Sequence, residues 1–356
     1  MKRIRIAACI IIVSALMFSC KKNDAPPATV PKVTTGLYVL SEGTFNGNNT
    51  TLTYYSFASS KATTDYFANS NGSGLGDTGN DILVYGGKIY IVVNVSSYVE
   101  VANANDAAKE IKKIDFKNGA TPRQPRYVVG YKNKVLVSSY DGTVAVIDTT
   151  TLLIEKNILV GANPEQLAII GDNLYVANSG GLGAVPDSTV SVVNLLTYAE
   201  TKKITVGVNP VDLVTDADGN VYLSCLGDYN TIGPKLVKLN SVTGTVVKSA
   251  DTAVGKMKFY NGLLYVTGGY LGSPYVRTLN PLDFSQTSPN FVTDGTTIIT
   301  PYGINVDNAS GDVYITDGKD YVSAGEVFCF DKTGKKKFSF SVDPGRNPNT
   351  VAFIKQ

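Results

Sequence analysis

Chemistry in this chain has to come from carboxylates, phenols, amides and guanidinium groups, because its 356 residues include no histidine. That absence removes Ser-His and Cys-His nucleophilic pairs, histidine general bases and histidine-bound zinc together. No Gly-rich turn leads into a helix, so a phosphate-cradling loop is missing too. Asp and Glu retain the capacity for acid–base work or Ca²⁺ binding, but no compact Asp/Asn cluster of calcium-loop type is present. What stands out is tyrosine. Of 21 in the chain, several fall in segments rich in Gly, Asn, Asp and Ser.

Six such segments carry an aromatic: Phe45 in SEGTFNGNN (41–49), Tyr98 in NVSSYVEVANANDAA (94–108), Tyr140 in SSYDGT, Tyr229 in LGDYNTIGP (226–234), Tyr270 in GGYLGSP (268–274) and Tyr321 in DGKDYVSAG (317–325). A seventh, NSGGLGAVPD (178–187), offers Asn178 and a Gly-rich lip instead. A second set of connecting segments adds Arg123 and Arg126 in GATPRQPR, Asn163, Asn209, Tyr302, and Arg346 in PGRNPN. Tyrosine supplies apolar area and a hydroxyl at low entropic cost, which suits a large, flat, polar ligand or a protein partner. Arg126 and Arg346 have two readings, capping a strand carbonyl or meeting an anion. The Asn-Pro pairs at 163, 209 and 347 read as turn formers.

What must position these segments is a repeat. A turn residue followed by an apolar-Tyr-apolar triplet occurs seven times, centred on Tyr38, Tyr90, Leu136 (where Leu replaces Tyr), Tyr175, Tyr222, Tyr265 and Tyr314. The spacings run from 39 to 52 residues and average 46. Every copy but the first is preceded by a second short apolar run; in NPEQLAIIGDNLYVANSG, for instance, Leu167–Ile170 precedes Leu174–Ala177 across a Gly-Asp-Asn turn. Each unit ends in an alternating strand and a more polar one, such as TVSVVNL and ETKKITV. Four short strands per repeat of this length predict a propeller blade. The run missing from the first unit appears at the far end of the chain, in NPNTVAFIKQ (347–356). The expectation is therefore an all-β, single seven-bladed β-propeller over residues 35–356, its first blade completed by the last strand so that no edge stays unpaired. An open sandwich or two domains would not produce seven in-step copies. The six triplet tyrosines are expected in the core, and no helix is expected in the propeller. In such a ring, loops from second to third strand and from blade to blade share one face, so the two sets of segments should line one shallow bowl.

Residues 1–19 read as a signal peptide: Lys2, Arg3 and Arg5 precede a 13-residue, mostly apolar run from Ile6 to Phe18, too short for a stable transmembrane anchor. The run ends at Ser19-Cys20, like a bacterial lipoprotein signal in which the cysteine takes lipid. Residues 20–34 then form a polar, proline-containing tether. Loss of residues 1–19 takes three of 32 basic residues against 30 acidic ones, a near-neutral balance that gives no reason to expect nucleic acid. Cys225 and Cys329 fall in non-neighbouring blades and are expected as buried hydrophobes without a disulfide.

With phrases such as NPEQLAIIGDNLYVANSGG and VGVNPVDLV, the chain resembles the YncE-like propellers of secreted bacterial proteins. With SCKK at the signal and the GLYVLSEGTFNGNN opening, it resembles the surface cobalamin-binding propeller lipoproteins of the BtuG type. That resemblance implies a non-enzymatic protein, lipidated at Cys20 and displayed at the outer membrane. It implies capture of cobalamin (vitamin B12), with delivery to a TonB-dependent transporter, and no further cofactor or bound metal. Two other classes fit the composition: a calcium-dependent lactonase-like propeller, which chelator-sensitive activity would reveal, and a protein- or glycan-binding scaffold.

Overall fold

The computed structural model of the protein describes residues 33–269 and 273–355; Cys20, the signal and most of the tether lie outside them. Seven four-stranded antiparallel sheets follow one another. From the inner strand outward, blade 2 is Gly79–Tyr85, Lys88–Val93, Tyr98–Asn103 and Glu110–Asp115; blade 3 is Pro125–Tyr131, Lys134–Ser139, Thr143–Asp148 and Ile154–Leu159; blade 4 is Pro164–Ile170, Asn173–Asn178, Thr189–Asn194 and Ala199–Thr205. Blade 5 is Pro210–Thr215, Asn220–Cys225, Lys235–Asn240 and Thr245–Ala250; blade 6 is Met257–Tyr260, Leu263–Gly268, Tyr275–Leu279 and Gln286–Ser288; blade 7 is Pro301–Val306, Val313–Asp317, Glu326–Phe330 and Lys336–Ser341. Blade 1 takes its inner strand, Pro348–Lys355, from the end of the chain, beside Thr34–Ser41, Thr51–Ser56 and Lys61–Thr63. The seven inner strands touch one another in sequence, and Pro348–Lys355 lies between those of blades 7 and 2, so the ring is closed.

The repeated triplet has a simple physical basis. Successive strand side chains point to opposite faces of a sheet. Tyr90 therefore enters the interface between blades 2 and 3, while Ile89 and Ile91 enter the one between blades 1 and 2. The same split holds for Tyr175 against Leu174 and Val176, and for Tyr314 against Val313 and Ile315. One apolar cluster thus fills each of the seven blade boundaries. All six triplet tyrosines are buried, none more than 4% exposed, and each such ring contributes roughly 2–3 kcal/mol by leaving water. Cys225 and Cys329 are buried free thiols, as expected.

Two details differ from the sequence reading. A one-turn-and-a-half helix, Tyr66–Asn71, sits between blades 1 and 2, where Phe67 and, just after it, Leu75 cap the apolar boundary. The propeller begins one residue early, because Thr34 pairs with Lys355. That pair lies at the end of blade 1 opposite the connection 42–50, so both chain ends reach the ring on one face and the bowl forms on the other.

Candidate functional site

A bowl of about 610 Å³ opens on the face carrying the second-to-third-strand and blade-to-blade connections. Its floor is built by a repeated irregularity. At the head of the inner strand the register slips in six blades: between Gly79 and Asp81, Pro125 and Val128, Pro164 and Leu167, Pro210 and Asp212, Pro301 and Gly303, and opposite Leu40–Ser41. A bulge of this kind redirects a side chain. The redirected residue follows the strand's first Pro or Gly: Asn80, Arg126, Glu165, Val211 and Tyr302 line the bowl, while Asn349 lies just beneath it. The three Asn-Pro asparagines, Asn163, Asn209 and Asn347, have φ of 44°, 57° and 51°, which confirms them as left-handed turn residues.

The floor is a set of polar pairs. Arg126 Nε donates to Glu165 Oε2 at 2.9 Å, and its Nη1 to Asn80 Oδ1. Tyr140 donates to Glu165 Oε1 at 2.5 Å, and the Arg126 guanidinium lies 4.7 Å from the centroid of the Tyr140 ring. Tyr302 donates to Glu42 Oε2 at 2.7 Å, and Asn349 Nδ2 to Glu42 Oε1 at 2.9 Å. From the far side of the axis, Lys256 in blade 6 donates to the Tyr127 hydroxyl of blade 3 at 2.6 Å. This pair lies between the bowl and a small void of about 30 Å³ in the channel below.

The electrostatics follow from burial and pairing. Burial raises the pKa of Tyr302, reinforced by Glu42, and burial together with Glu165 raises that of Tyr140, so both stay neutral donors. Burial works against the Lys256 ammonium, but Tyr127 and Asp212 outweigh it and keep it protonated. For the Arg126 guanidinium, Glu165 and Tyr140 likewise outweigh the burial penalty. Arg126 and Lys256 balance Glu42 and Glu165, leaving a neutral but hydrogen-bonding floor. Above it stand Tyr229, Tyr321, Leu182, Leu226 and Pro274. Among the described residues no three Cys, Asp or Glu side chains converge as a metal site.

Of the residues singled out in the sequence, Arg126, Tyr140, Asn209, Tyr229, Tyr302 and Tyr321 come together in the bowl. Arg126 and Tyr302 do so from the inner strands rather than from loops. Others do not line it. Phe45 is on the same face but 74% exposed. Tyr98 is not a loop residue: it opens the third strand of blade 2, donates to the Leu75 carbonyl, and limits the connection read as 94–108 to residues 94–97. Asn178 is fully buried; its amide oxygen accepts from Gly161 N, and its Nδ2 donates to Thr189 and Ser191, which fixes the neighbouring loop. Arg346 caps a carbonyl, that of Val322. Arg123 is structural as well, tied to Asp141, Thr143 and Asn157. Tyr270 lies outside the described residues. Sequence reasoning passed over Glu42, Asn80, Tyr127, Glu165 and Lys256; for Asn80 and Glu165 the available signal was the residue after the opening Gly or Pro of the inner strand.

A closed ring of seven four-stranded sheets with a ligand-sized bowl on one face defines a β-propeller protein. Within that class the chain belongs to the family described as domain of unknown function (DUF5074), whose model matches residues 35–344. Comparison with curated proteins found no match. Among solved structures it is similar to a quinoprotein alcohol dehydrogenase-like protein from Bacteroides thetaiotaomicron (16% identity, TM-score 0.64, covering 90% of this chain and 79% of that one). It is also similar to hydrazine synthase of Kuenenia stuttgartiensis (16%, 0.58, 70% and 76%) and to the computationally designed protein Ika8 (12%, 0.57, 91% of each). At these identities the likeness concerns the fold.

Proposed function

We propose that this propeller captures a large, flat, amide-bearing ligand in its bowl, and that the ligand is cobalamin. The observation that carries the reading is the bowl itself: a charge-balanced floor of donors and acceptors beneath walls of tyrosine. Its volume of about 610 Å³ is typical of ligand pockets. A corrin offers a broad face for the tyrosines, side-chain amides for Asn80 and Glu42, and a phosphodiester for the cationic groups. The ligand extends past the mouth, whose rim carries exposed apolar side chains at Phe45, Leu182, Val185, Ile232, Ile299 and Val322. That rim supports contact with a second macromolecule, which in this reading is a TonB-dependent outer-membrane transporter receiving the cobalamin. The resemblance of the signal segment to lipoprotein signals supports lipidation at Cys20 and display at the outer membrane. The test is gel filtration of the propeller mixed with cyanocobalamin, read by corrin absorbance. Co-elution of the red chromophore is expected; its absence at micromolar ligand, together with a flat calorimetric titration, overturns the reading.

A further inference from the structure

Two loops at the mouth share one construction. Asp228-Tyr229-Asn230-Thr231 in blade 5 and Asp320-Tyr321-Val322-Ser323 in blade 7 occupy the same connection, between second and third strands. Asp228 Oδ1 accepts from the backbone of Asn230 at 2.9 Å and Thr231 at 2.8 Å, and its Oδ2 from the Thr231 hydroxyl at 2.8 Å. Asp320 does the same with Val322 N at 3.0 Å, Ser323 N at 2.6 Å and the Ser323 hydroxyl at 2.8 Å. In both loops the tyrosine between carries a left-handed backbone, with φ of 59° and 65°. Glycine adopts that conformation freely, whereas a bulky side chain adopts it at a steric cost. Tyr198 and Phe284 share the conformation in turns outside the bowl; Tyr229 and Tyr321 are the two such tyrosines that line it. Both rings line the bowl, and both are substantially exposed, 60% for Tyr229 and 47% for Tyr321. Between them blade 6 contributes Gly255, Gly268 and Gly269 to the bowl, beside Lys256, Thr267 and Pro274.

We propose that Tyr229 and Tyr321 are a matched pair of stacking residues that hold a planar, conjugated ring system between them in the mouth of the bowl. Asp228 and Asp320 act as positioning residues that fix the two rings. The inference rests on the bowl being a corrin site, and it assigns the grip on the flat face to two side chains, leaving the floor to read the polar edge.

The test uses the tyrosine emission of the protein, which contains no tryptophan, to follow titration with cyanocobalamin. Tyr229→Gly and Tyr321→Gly remove the ring and suit the left-handed backbone, so melting temperatures should fall by no more than about 3 °C. Each change should weaken binding about tenfold, and the double change about a hundredfold. Tyr229→Phe and Tyr321→Phe, which keep the ring, should bind within about threefold of the parent. Val242→Ala, exposed in a third-to-fourth-strand connection away from the bowl, should bind as the parent does. If the parent binds and the double glycine variant stays within threefold, the pairing is wrong while the bowl reading stands. If affinity is lost only alongside a large drop in melting temperature, the tyrosines are packing residues and the proposal fails. If the parent itself ignores cyanocobalamin, both fall together.

Discussion

Asp81 offers a quantitative test of the channel beneath the bowl. Its side chain belongs to the inner strand of blade 2, is 8% exposed, and accepts the Val128 N–H of blade 3 at 3.0 Å. Burial pushes its pKa from 3.8 up to about 6, against opposing pulls from the Val128 hydrogen bond, Lys258 and Lys256. Between those two pH values the folded protein binds more protons than the unfolded chain, so stability must fall as pH rises through them. A shift of this size corresponds to about 3 kcal/mol, absent near pH 4 and fully expressed at pH 7. Asp81→Asn cannot titrate and keeps an oxygen for Val128. The protein uses that amide solution elsewhere, where Asn305 Oδ1 accepts Val351 N at 3.1 Å across the boundary of blades 7 and 1. Urea unfolding of parent and variant from pH 4 to pH 7 should therefore start nearly together and diverge, the variant ending about 3 kcal/mol more stable. For roughly 320 residues that is about 4 °C in melting temperature. A pH-independent difference, or a parent that gains on the variant as pH rises, would refute the reasoning, since the lysines would then outweigh burial.

Two further outcomes follow from the architecture. Glu165→Ala strands the Arg126 guanidinium in a site where the two side chains are only 18% and 7% exposed, so it should cost about 3–5 kcal/mol in urea unfolding. Arg126→Leu with Glu165→Leu should cost less than Glu165→Ala alone; equal or additive losses would mean that the pair is not coupled. Removal of residues 348–356 deletes the inner strand of blade 1, together with the Asn349 hydrogen bonds to Glu42, Gly79 and Asn80. The shortened chain should lose its single sharp calorimetric transition and self-associate through the opened edge; a melt as sharp as the parent's would count against ring closure by the tail.

The fold was legible because each blade repeats one physical requirement. An apolar-Tyr-apolar strand has to feed two boundaries at once, and the orphan tail had one vacant place to go. The site was legible only where loops announced themselves by Gly, Asp and Asn, as around Tyr229 and Tyr321. Tyr98 misled because YVEVAN follows its loop without a turn signal and NANDAA, which does carry one, belongs to the next connection. The short helix at 66–71 was hidden because YFANSN has too few residues to show a helical period. Glu165, Tyr127 and Lys256 escaped notice because they sit at the heads of strands read as apolar runs. The inward aim of Glu165 and Tyr127 comes from a register slip that pairing, rather than composition, decides.

The pairing of Thr34 with Lys355 puts both ends of the folded chain on the reverse of the wheel. A fusion partner, an affinity handle or a surface coupling joined directly to Thr34 or Lys355 departs from that side, away from the mouth. The protein can thus be immobilised by its back as a receptor array, with every cavity turned toward the solution.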